Sequence, residues 1–219
     1  MPGWAAAPQA GRVIDENGLT LSPGFVDAHS HDEVQHLHNP SYAEKILQGV
    51  TTELIGNCGM SFTPVSRAHR EHVRQVLEVI GRRYAPDELW GLTSFAEVLA
   101  TLAAANPAMN VASLLGHGVL RAAIMGLEDR PPTSAERPEM KRRRRRAMEA
   151  GPFGLSIVLI LVPSSFAETE EIIELARVVG QHRGVYARHL RIESDHQFEA
   201  LEEALRIGRH GSAGPRGAP

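Results

Sequence analysis

Short apolar runs rich in β-branched residues alternate along this chain with stretches whose apolar residues recur every three or four positions. The runs are GFVDAH (24–29), VTTELIGN (50–57), MNVASLLG (109–116), FGLSIVLI (153–160) and GVYARHL (184–190), each of strand length. Helical spacing fills the intervals at 42–48, where Gly49 can cap the end, and at 67–83, 94–105 and 140–150. The clearest helix is 167–182. Glutamates crowd its first turn, His182 and Arg183 stand at its end, and Ile172, Leu175, Ala176 and Val179 share one face. Residues 197–208 repeat the pattern, with Phe198, Leu201 and Leu205 on one side.

Strand and helix in alternation predict βαβ units and a parallel sheet, hence an α/β fold. No glycine-rich phosphate turn follows the first strand, so a (β/α)8 TIM-type barrel is expected rather than a doubly wound sheet. About five β/α units are visible, where a closed barrel has eight and about 250 residues. The predicted fold is therefore an incomplete barrel over residues 24–208. Ahead of it, GRVIDENGLTLSPG reads as two strand-like pieces around the turn Asn17-Gly18. Behind it, residues 209–219 are Gly, Ala, Pro, Ser and Arg without periodicity and read as a disordered tail. The chain is expected to stop in mid-fold.

Composition narrows the class. The 219 residues are 42% hydrophobic and 22% charged, which suits one globular domain. A net charge of -3 gives no global reason to expect nucleic acid or an anionic membrane as partner. Cys58 is the only cysteine, so no intrachain disulfide exists. With no basic-then-apolar leader at the start, a cytoplasmic location is expected. The longest apolar run, LSIVLILV (155–162), falls far short of the ~20 residues that span a bilayer. The arginine run KRRRRR (141–146) lies inside a predicted helix between Glu139 and Glu149, and it reads as a solvated face rather than a nucleic-acid surface.

The candidate chemistry begins with His29 and His31, in GFVDAHSHDE. On a strand, residues two apart point to the same side, so both imidazoles can converge on one cation. The pattern alone is cheap: eleven histidines in this chain give about half a His-x-His by composition. His36-Leu37-His38 is such a case and is expected in a solvated loop. Position adds weight, because chemistry in parallel barrels sits at the C-terminal ends of the strands. His29 and His31 close the first strand, Cys58 closes the second between Gly56 and Gly59, and His189 closes the fifth. The competing readings are an inert buried thiol for Cys58 and a core histidine for His189. His117, after the third strand, is expected to line the barrel mouth without ligand duty. Asp27 is a candidate partner for His29 and Arg191 a candidate anion holder, with structural ion pairing as the alternative for both.

The segments LSPGFVDAHSHDE, GVTTELIGNCGMSFTPV, VASLLGHGVLR and GVYARHLRIESD together resemble the D-aminoacylase (N-acyl-D-amino-acid deacylase) branch of the amidohydrolase superfamily. His-x-His combined with GNCG is specific to that branch, and the likeness runs from about Gly11 to Gly208. The resemblance implies a small β-sandwich beside a metal-bearing barrel, with residues 1–23 its remnant. It also implies Zn2+ as cofactor, with His29 and His31 at a weaker position, Cys58 and His189 at a tighter one, and an N-acyl-D-amino acid as the small-molecule substrate. The implied products are a D-amino acid and a carboxylate. Further residues of the family, a histidine on the sixth strand and an aspartate general acid/base on the eighth, have no counterpart here. The chain is therefore expected to be truncated at both ends. Val158 and Leu161 stand where relatives tend to carry glycine and an aromatic residue. The alternative implied by these departures is a catalytically inactive fragment of such a hydrolase.

Overall fold

The computed structural model describes residues 11, 18–78, 80, 85 and 87–211. Five strands, β1 (Phe25–Asp27), β2 (Val50–Ile55), β3 (Asn110–Gly116), β4 (Gly154–Val158) and β5 (Val185–His189), lie side by side in chain order. Every neighbouring pair is parallel. Strand order that never reverses leaves no switch point, so the doubly wound alternative is excluded and the sheet is an arc of a TIM-type barrel.

Helices follow each strand. Those after β1 are α1 (Glu33–His38) and α2 (Ala43–Ile46), and those after β2 are α3 (Arg70–Glu78) and α4 (Phe95–Ala104). After β3 come α5 (His117–Met125) and α6 (Glu136–Glu149), after β4 comes α7 (Thr169–Gln181), and after β5 comes α8 (Gln197–Gly211). Local chemistry sets several boundaries. Ser94 and Glu97 form a reciprocal capping box at the start of α4. Gly49, at φ +86°, turns the chain from α2 into β2. The expected face of α7 is the buried one: Ile172, Leu175, Ala176 and Val179 all lie in the core. There, Ile172, Ala176 and Val179 join Leu155 and Ile157 of β4 and Ile207 of α8 in one cluster.

Several expectations need correction. His36-Leu37-His38 is not a solvated loop. It ends α1, and His36 is fully buried with Nε2 2.6 Å from Glu53 Oε2 on β2. A charged strand partner supplies that burial. Helix α8 buries Ala200, Ala204 and Ile207, whereas Phe198 is 82% exposed and Leu201 and Leu205 are exposed too. The same helix carries the chain to Gly211, three residues into the expected tail, and 212–219 lie outside the described residues. No strand forms at 19–24, and residues 12–17, with Asn17 of the expected turn, lie outside the described ones.

Strand β1 is three residues long and mostly exposed, so packing alone holds it weakly. Charge holds its tip. Lys45, at the base of α2, places Nζ 2.6 Å from Asp27 Oδ2, 2.7 Å from Asp32 Oδ2 and 3.3 Å from Ser30 Oγ, and it also pairs with Glu53. Ser30 and Tyr42 donate their hydroxyls to Asp32 at 2.7 and 2.9 Å. Burial by itself would raise the Asp32 pKa, but Lys45 and the two hydroxyls outweigh it and hold that carboxyl far below its ordinary value.

The arginine run is only partly a solvated face. Arg142 and Arg143 pair with Glu139, but Arg144 is fully buried and none of its three guanidinium nitrogens has a hydrogen-bond partner. Burial lowers its pKa to about 9, so it stays charged at neutral pH at a cost to the fold.

Two outcomes follow. Replacing Arg144→Met keeps the stem volume and removes the unpaired charge, so thermal unfolding should shift upward by the equivalent of about 1–3 kcal/mol; an unchanged or lower midpoint would refute this. Lys45→Met strands three carboxylates and should cost about 2–4 kcal/mol at neutral pH. Because Asp32 is held low by Lys45, that stabilisation is present above the ordinary carboxylate pKa of about 4 and is lost as pH falls through the depressed value. The gap between Lys45→Met and the parent chain should therefore be full at pH 7 and narrow in acid, as read by denaturant melts across pH.

Candidate metal centre

The C-terminal tips of β1 and β2 bring three donors together. His29, His31 and Cys58 each offer one ligand atom, and these atoms all lie within 4.8 Å of one another. His29 Nε2 is 3.1 Å from Cys58 Sγ, and the rings of His29 and His31 are 5.6 Å apart at 72°. The strand itself ends at Asp27, so the histidines ride on the segment that continues it rather than within a regular strand. Ser30 N–H donates to the Leu54 carbonyl at 3.1 Å and carries the pairing with β2 one rung further. Asp27 accepts the His29 N–H at 3.2 Å while binding Lys45, so its role as a partner of His29 is observed at the backbone.

Cys58 reaches this point through an unusual turn. Gly56, Cys58 and Gly59 adopt φ of +75°, +53° and +70°, the left-handed region that costs a non-glycine residue about 1–2 kcal/mol. The turn sits directly on the backbone of β3: a Cβ on Gly56 would come within 2.3 Å of the Leu114 carbonyl oxygen. Glu33 accepts the Gly56 N–H at 2.9 Å, and Val119 donates its N–H to the Gly59 carbonyl at 3.2 Å. Burial pushes the Cys58 thiol pKa up, so the sulfur needs a cation to become a thiolate at neutral pH.

His189, at the end of β5, stands beside His29 with ring centroids 5.5 Å apart, and its Nδ1 is 3.2 Å from Glu193 Oε1. It is adjacent to the compact set and not one of its members. Cys58 lies with His29 and His31 in that set, and His189 stands on the far strand tip beside His29. The remaining candidates are committed elsewhere. Arg191 pairs with Glu203 at 2.8 Å and donates to the Ser165 and Ala167 carbonyls, so an internal carboxylate takes the place of a bound anion. His117 is fully buried, with Nδ1 2.9 Å from Ser164 Oγ and Nε2 3.2 Å from Glu171; burial drives its pKa down despite that carboxylate. The buried polar groups Glu33, Glu53 and Ser156 around the site carry no motif, and only their partners reveal them.

One thiol sulfur and two imidazoles suit zinc, whose N and S donors sit about 2.0–2.3 Å from the ion, and the observed spread is close to one coordination sphere. Among the described residues no helix is long and apolar enough to cross a membrane.

The chain is 42% identical over 198 residues to the N-acyl-D-aspartate deacylase of Alcaligenes xylosoxydans xylosoxydans, covering 90% of this chain and 38% of that protein. It is 39% identical to the D-aminoacylase of the same organism, again over 90% of this chain and 39% of the relative. In three dimensions it matches the N-acyl-D-glutamate deacylase of Bordetella bronchiseptica, solved with zinc and a phosphonate mimic of the tetrahedral intermediate. That match has a TM-score of 0.76 at 34% identity and covers 87% of this chain and 39% of the other. The chain spans about two-fifths of the length of these relatives. With residues 12–207 matching the family model as well, the chain belongs to the amidohydrolase family.

Proposed function

We propose that this chain carries the metal-binding face of a zinc-dependent hydrolase that splits N-acyl-D-amino acids into a D-amino acid and a carboxylate. The observation that supports it most is the meeting of Cys58 Sγ with His29 and His31 at the tips of two adjacent strands. In this reading His29, His31 and Cys58 are zinc ligands, and His189 joins them from β5. Zinc, when bound, supplies Lewis acidity, lowering the pKa of water and polarising the amide carbonyl. The protein's own part is to hold the donors. The Lys45 cluster fixes the segment that carries both histidines, and the Gly56–Gly59 turn presents the sulfur. The relatives' substrates, D-aspartyl, D-glutamyl and other N-acyl-D-amino acids, are carried over as a class. A lone thiol given to a metal suits a reducing compartment, and the cytoplasm is the proposed location.

A second reading, zinc binding without turnover, is favoured by one observation. Among the described residues no aspartate or glutamate joins the compact set of His29, His31 and Cys58, where a general base would be wanted.

The purified chain should take up zinc in proportion to its concentration, and Cys58→Ala should abolish tight uptake measured against a chromophoric chelator. Uptake that ignores Cys58 would sink the metal centre. Amine release from N-acetyl-D-aspartate and N-acetyl-D-methionine separates the two readings. Turnover of the D but not the L form, reduced at least about a thousandfold by Cys58→Ala, is the expected result for the hydrolase. A folded, zinc-loaded chain that releases no amino acid would establish the second reading instead.

A further inference from the structure

Ser156 is a fully enclosed hydroxyl in the middle of β4, opposite Gly116 of β3 and Ala187 of β5. Nothing about its type or spacing singles it out in sequence. Its Oγ accepts the N–H of Gly59 at 3.0 Å and donates to the carbonyl of Gly56. Those two groups flank Cys58 and belong to residues about a hundred positions away in the chain. One side-chain atom thereby closes both ends of the turn that carries the sulfur.

We infer that Ser156 is a positioning residue that holds Cys58 in its left-handed conformation and sets the direction of its thiol. A left-handed φ strains a non-glycine residue such as Cys58, and such strain persists only where the surroundings over-determine the backbone. The contacts to Gly56 N–H and Gly59 C=O come from Glu33 and Val119, each holding one end of the turn from its own side. Met60 N–H closes the turn locally on the Asn57 carbonyl at 2.9 Å, and among the described residues Ser156 is the side chain that joins Gly56 to Gly59, its hydroxyl donating at one and accepting at the other. With the clip gone, the turn can relax toward ordinary φ values, and the sulfur swings from its 3.1 Å contact with His29. Ser156 also sits two residues before Val158, whose partner in register on β5 is His189, so the clip sits on the strand between the thiol and the last candidate donor.

The inference rests on the zinc reading above, and cobalt substitution keeps the two apart. Cobalt held by a thiolate gives a sulfur-to-metal charge-transfer band that a stability change alone does not move. The full 219-residue chain is titrated with cobalt as parent, Ser156→Ala and Ser156→Thr, with circular dichroism to confirm folding. A parent chain with no such band overturns the zinc reading. Given a parent band, Ser156→Ala should lose about 10–100-fold in cobalt affinity, the usual effect of removing a group that orients a ligand. Ser156→Thr, which keeps the hydroxyl, should stay within about fivefold of the parent. A folded Ser156→Ala within fivefold of the parent overturns the inference. Should Ser156→Ala fail to fold, Ser156→Thr decides: affinity within fivefold sustains the clip, and a larger loss refutes it.

Discussion

Between Gly56 and Gly59 the backbone is left-handed at three of four residues, and the turn lies so close on β3 that no side chain fits at Gly56. The local cost is about 1–2 kcal/mol at Cys58 alone. Four hydrogen bonds from three other elements hold the turn: Glu33 of α1, Val119 of α5, and Ser156 of β4 twice. At about 0.5–1.5 kcal/mol each they outweigh the strain. The sulfur therefore points across to the neighbouring β/α unit, and the meeting with His29 depends on that.

The histidine side is fixed by a different force. Strand β1 is short and exposed, so hydrophobic burial contributes little at its tip. Lys45 instead gathers Asp27, Asp32 and Glu53, and Glu53 passes the constraint on to His36 inside α1. An ammonium among three carboxylates has one geometry, and the segment 27–32 is drawn into it. One ligand-bearing element is thus set by backbone packing and the other by charge, and the two supports share no residue.

What could be read from the sequence tracks the physics of each element. The five strands were legible because runs such as VTTELIGN combine β-branching with burial, and their order followed from alternation with helices. His29, His31 and Cys58 were legible because strand tips are few and each carried a metal-type side chain. Helix α5 was not, since His117 through Ala123 are all buried and a helix enclosed all round shows no amphipathic period. Helix α1 has six residues, too few for a pattern, and its glutamate and histidine look solvent-bound until Gly56 and Glu53 appear beside them. The stripe Phe198, Leu201, Leu205 on α8 had the right spacing on the wrong side, because small Ala200 and Ala204, with Ile207, are what let α8 pack close on α7. Ser156 was invisible for a simpler reason: its meaning lies in two backbone groups about a hundred residues earlier.

His189 stands at the edge of the three-residue set with a carboxylate beside it. Its Nδ1 faces a carboxylate oxygen of Glu193 at 3.2 Å, and an ionised carboxylate can only accept. In the neutral ring the proton therefore sits on Nδ1, and Nε2 carries the lone pair. Glu193, four positions on in the loop after β5, thus leaves Nε2 as the free lone pair of the neutral ring. The His29 ring lies 5.5 Å away, with Cys58 Sγ 3.1 Å from its Nε2, so His29 neighbours both the thiol and His189. The β5 tip thus brings a third imidazole beside the histidines carried on from the β1 tip.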